Sequence, residues 1–78
     1  MKETLKKEIA NKLRLIRLER HDRIEDLALK SGVATSTISK YEQGISDMSI
    51  DKIEEILAPY NISLHIFFEE ILAKTHGN

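Results

Sequence analysis

The stretch that decides the fold is Ile24–Gly44, IEDLALKSGVATSTISKYEQG. It reads as two short helices joined by a tight turn. The first follows Arg23 and carries Leu27, Ala28 and Leu29. Ser31-Gly32 breaks it, because glycine tolerates positive φ and commonly follows a helix's last turn. The second starts near Ala34 or Thr35, runs to about Glu42 and is closed by Gln43-Gly44. Ala28 is small where two crossing helices must approach closely. Ile38 and Tyr41 are three residues apart and share a face.

The other face of the second helix carries Thr35, Ser36, Thr37, Ser39 and Lys40. Short hydroxyls and one long cation leave room for something to lie against the backbone. A helix-turn-helix sets such a face in the major groove of DNA. A solvated face on an ordinary helical pair has the same pattern, so pattern alone leaves both readings open.

Working outward, residues 3–20 read as a first helix. Leu5, Ile9, Leu13 and Ile16 recur at helical spacing, with Leu15 and Leu18 widening the stripe. His21-Asp22-Arg23 links it to the second helix. Asp22 and Glu25 have capping-box spacing for a helix that starts one residue early. Ser49 is a good N-cap for a fourth helix, whose buried side is Ile50, Ile53, Ile56 and Leu57. Pro59 ends it. Ser63 caps a fifth, Leu64 to about Lys74, and residues 75–78 are expected to form a disordered tail. The fold class is all-α, with five helices in one domain over residues 1–74.

The fifth helix carries Leu64, Ile66, Phe67, Phe68, Ile71 and Leu72, an arc too wide for one core-facing stripe. Leu64 and Phe67 are expected to face the core. Ile66, Phe68 and Ile71 are expected to form a two-fold dimer interface.

Composition narrows the function. Seventy-eight residues suit one small domain, for which dimerisation is a plausible way to bury more surface. With no cysteine, disulfides and thiolate metal sites are excluded. No apolar run approaches the ~20 residues of a membrane span, and no signal-peptide region opens the chain. A cytoplasmic protein is expected. His21, His65 and His76 show no ligand spacing, and no nucleophile–base arrangement or Gly-rich phosphate loop is present. No enzyme activity, metal, cofactor or small-molecule ligand is expected. Net charge is −1, but residues 1–20 hold seven Lys/Arg against three Asp/Glu, whereas residues 21–48 hold three against five. The basic end favours nucleic acid; the acidic centre argues against tight nonspecific binding.

Residues Leu27-Ala28, Ser31-Gly32-Val33, Ser36-Thr37-Ile38-Ser39 and Glu42-Gln43-Gly44 stand at the spacing of the L-A, x-G-V, S-x-I-S and E-x-G pattern of the Cro/CI-type (XRE) helix-turn-helix family. The match extends from Ile9, Leu13 and Arg17 to Ile53, Ile56, Ile62-Ser63-Leu64 and Phe67-Phe68, or roughly residues 9–70. By length and by Phe67-Phe68 the chain most resembles the controller proteins of restriction–modification systems. The resemblance implies a lambda-repressor-like domain and a transcriptional regulator that binds double-stranded DNA as a homodimer on a palindromic operator. It implies base reading by Thr35, Ser36 and Lys40, with Thr37 and Ser39 contributing, and an ion pair between Arg17 and Glu42. Phosphate contacts are expected from Arg14 and Arg23, with Lys12 and Lys30 in support. The family often has glycine near His21 and a polar residue, often glutamine, at Ile24; this sequence departs at both, so Ile24 is expected to close the core. Three alternatives remain: an interaction module that kept the fold and lost DNA binding, an antitoxin, and the N-terminal domain of a longer peptide-responsive regulator.

Overall fold

The computed structural model describes residues 3–76. Five helices pack around one core: α1 Glu3–Glu19, α2 Ile24–Ser31, α3 Thr35–Gln43, α4 Ile50–Leu57 and α5 Leu64–His76, with a 3₁₀ turn Ala58–Tyr60 after α4. α1 forms because Ile9, Leu13 and Ile16 make one stripe, and all three are buried. Leu15 and Leu18 stay exposed, so the stripe is narrower than the sequence suggests. The helix ends where His21 takes a left-handed φ of 58°, the conformation for which glycine is best suited.

α2 begins at Ile24 with Arg23 as its N-cap. The Asp26 carboxylate accepts the Arg23 backbone N–H at 2.9 Å. The Asp22–Glu25 box is not formed, because Asp22 lies before the cap and its carboxylate is engaged elsewhere. Gly32, at φ 76°, closes α2 by donating its N–H to the Ala28 carbonyl. Gly44 closes α3 at φ 69°, and any Cβ there would lie 3.4 Å from the Ala10 Cβ of α1. Conformation and close approach therefore both favour glycine at that crossing.

Ser49 caps α4 by accepting the Lys52 N–H at 3.1 Å. The Ser49 N–H donates to the Tyr41 hydroxyl at 2.9 Å, which ties α4 to α3. Asn61 takes the left-handed turn after Pro59 at φ 57°. Ser63 then caps α5 by accepting the Ile66 N–H at 3.2 Å.

On α5, Phe67 and Ile71 are buried, Leu64 and Phe68 pack partly against the core, and Ile66 and Leu72 are exposed at 45% and 49%. Ile71 was expected at a dimer surface. At 2% exposure it belongs to the core, because it follows Phe67 by four residues and shares its face. Burying Phe67 contributes roughly 1.5–3 kcal/mol. The Phe68 ring meets Phe67 edge-on, with centroids 5.2 Å apart. The helix continues through His76, two residues past the expected end; the rest of the expected tail, 77–78, lies outside the described residues.

Candidate nucleic-acid interface

α3 is an amphipathic helix with unusually small outward side chains. Its inner face is Ile38 and Tyr41, both buried. Ser36, Lys40 and Gln43 recur at i, i+4, i+7 and form an exposed outward line. Thr35 and Ser39 border it, and the Ser39 hydroxyl accepts the Gln43 side-chain amide at 2.8 Å. Thr37 lies off this line, four residues from Tyr41 and on the same side as that buried ring. Ala34 takes the N-cap position, and no side chain caps the helix. Thr35 and Ser36 are its first two residues.

The inner edge of α3 is locked by a bidentate ion pair. Arg17 Nε donates to Glu42 Oε2 at 2.8 Å and Nη2 to Oε1 at 2.9 Å. The two side chains are only 9% and 6% exposed. The third Arg17 nitrogen, Nη1, donates to the Asp22 carbonyl at 2.8 Å. The hydrogen bonds to Glu42 raise the guanidinium pKa above its ordinary value and so keep the pair charged. A pair of this kind orients more than it stabilises, because desolvation offsets much of its Coulombic gain.

Asp22 extends the lock. Its carboxylate accepts Lys30 Nζ at 2.8 and 3.0 Å and the Tyr60 hydroxyl at 2.8 Å. The bond from Lys30, then that from Tyr60, holds the Asp22 pKa below its ordinary value. Burial, then the bond to Asp22, pushes the Tyr60 phenol up. The Arg20 guanidinium sits 4.9 Å from the Tyr60 ring centroid. A chain of contacts thus runs from α3 through α1 to the turn before α5. Asp22 and Tyr60 carry no sequence motif that marks them for this.

The expected phosphate cations divide. Arg23 lines a groove of about 480 Å³ with Ile24, Thr35, Ser36 and Ser39. Its guanidinium also reaches Asp26 at 3.3 Å, and that contact raises its pKa. Arg14 lines the adjoining groove with Ser39 and Gln43. Lys30 is held by Asp22. Lys12 is not brought to this face. It pairs with Glu70 of α5 at 2.7 Å, since two residues of separation put it about 200° around α1 from Arg14. Gln43 was read only as the end of the helix, although its i+7 spacing from Ser36 already placed it on the outward line. Among the described residues no helix is long and apolar enough to cross a membrane, and no group of three or more side chains could hold a metal ion.

Two short helices at a tight glycine turn, the second presenting hydroxyls, an amide and a lysine, define a helix-turn-helix DNA-binding domain. A family model described as helix-turn-helix matches residues 13–67. The chain belongs to this family, the Cro/CI-type (XRE) DNA-binding regulators, whose members are not enzymes. Its fold is similar to that of the restriction–modification controller protein C.Esp1396I, solved as a tetramer in complex with its natural 35 base-pair operator. The TM-score is 0.83 at 29% identity, covering 94% of this chain and 96% of that one. A tyrosine-to-phenylalanine mutant of the same protein matches equally, at TM-score 0.83 and 29% identity over 96% and 95% of the two chains. No curated protein matches the sequence.

Proposed function

We propose that this chain is a sequence-specific transcriptional regulator of the controller type, acting without a cofactor as a homodimer on a palindromic operator. The observation that carries the reading is the outward line of α3, held in place by the buried Arg17–Glu42 pair. In this reading Thr35, Ser36, Ser39, Lys40 and Gln43 face base edges in the major groove, where each base pair presents a distinct pattern of donors and acceptors. Arg14, Arg23 and the N-terminal amides of α2 and α3 contact phosphates and fix the register. The operator-bound C.Esp1396I structure, alike over nearly its whole length, supports the assignment.

One recognition helix covers few base pairs, and a two-fold dimer sets two of them about one helical turn apart, ~34 Å. Ile66 and Leu72, exposed on α5, and the partly exposed Leu64 and Phe68 beside them supply an apolar surface for that contact. Selection of bound duplexes from a random pool tests the whole reading. The expected result is an enriched palindrome with half-sites one turn apart. Failure to enrich any sequence at low salt overturns it and favours an interaction module.

A further inference from the structure

We infer that Ile24 is a specificity-determining residue that reads the 5-methyl group of a thymine in each operator half-site. The inference rests on the DNA-binding reading above and goes beyond it by naming the chemical group recognised.

Ile24 is the first residue of α2, and part of its side chain packs on the core. The remainder lines both grooves along α3: that shared with Thr35 and Ser36, and that shared with Arg14 and Gln43. Ser39 borders Ile24 in each. Every other described residue lining the two grooves carries a charge, a hydroxyl or an amide, so Ile24 is the apolar point on an otherwise polar docking face.

A phosphate is a poor partner for it. Isoleucine offers no donor, and an anion pressed against aliphatic carbon loses water without regaining hydrogen bonds. Among the base-edge groups that distinguish base pairs in the major groove, the apolar one is the thymine methyl. Bringing the two together removes apolar surface from water on both sides. Because Thr35 and Ser39 flank Ile24, that thymine falls beside the bases those residues read.

The test uses the operator recovered from the random pool. Each thymine is replaced singly by uracil, which deletes only the methyl, and binding is measured for the unmodified chain, Ile24→Ala and Thr35→Ser. One thymine per half-site should weaken binding of the unmodified chain about fourfold when its methyl is removed, the worth of one buried methylene. The effect should disappear in Ile24→Ala and persist in Thr35→Ser, whose own lost methyl is the rival reader. If Ile24→Ala does not fold by circular dichroism, Ile24→Val decides: a reduced uracil effect supports the assignment, and an unchanged one overturns it. Uracil effects that all survive the Ile24 substitutions, or that move with Thr35 instead, overturn it while leaving DNA binding intact. A pool that yields no operator overturns both readings together.

Discussion

Asp22 and Lys40 show how differently two charged side chains are used in this molecule. Asp22 has a depressed pKa because its ionised form accepts bonds from Lys30 and Tyr60. Its stabilisation is therefore fully present above the unfolded carboxyl value, ~3.9, and is lost as pH falls through the lower folded value. Urea midpoints should drop between pH 7 and pH 3. Asp22→Asn should lower the midpoint at pH 7 and flatten that drop. Some slope should remain, because Asp26 is also held low, first by the Arg23 backbone N–H and then by its side chain. An unchanged pH slope in Asp22→Asn would contradict the role given to these bonds. Lys40 makes no ion pair among the described residues and stands on the outward line of α3. It is long enough to donate to guanine O6 and N7. Lys40→Ala should cost roughly 1–3 kcal/mol on the best site and relax preference at one base pair per half-site. Equal weakening on every duplex, measured by competition, would make Lys40 a phosphate contact instead.

The helix whose reading changed most is α5. Six apolar residues within nine positions cannot all be buried on one helix, and spacing alone does not say which turn inward. Packing assigns Phe67 and Ile71 to the core and leaves Ile66 and Leu72 outside. Two substitutions one residue apart should therefore behave oppositely. Ile71→Ala empties a core site and should cost on the order of 2–5 kcal/mol of stability. Leu72→Glu should leave the melting temperature of the monomer nearly unchanged but abolish the dimer in sedimentation velocity at tens of micromolar. A dimer that survives Leu72→Glu and Ile66→Glu together would place the interface off α5.

For the whole molecule, DNA affinity depends on how many cations are free to replace counterions. The sequence is slightly acidic overall. Of the four cations expected at phosphates, Lys12, Arg23 and Lys30 are engaged with carboxylates inside the chain. Exposed pairs such as Arg23–Asp26 are weak and open readily to a phosphate. Lys12 is on another side. Backbone amides at helix starts release no counterions. The slope of log affinity against log salt should be shallow, on the order of −4 to −6 per dimer. Titrations across salt concentrations check this, and a slope near −10 would require cations elsewhere on the surface to reach the backbone.

Local chemistry determined the helices and their punctuation. Glycines 32 and 44, the serine caps at 49 and 63 and Pro59 act within a few residues of themselves, so their effects can be read along the chain. The alternation that buries Ile38 and Tyr41 and exposes Ser36 and Lys40 is equally local, which is why the outward face of α3 was legible, Gln43 excepted. Only the tertiary structure decided what depends on groups far apart in sequence. Asp22 meets Tyr60 across 38 positions, Lys12 meets Glu70 across α1 and α5, and Ile24 divides its side chain between the core and the grooves of α3. A side chain's partner across a packed interface is set by where whole helices come to rest, and helical periodicity carries no record of that.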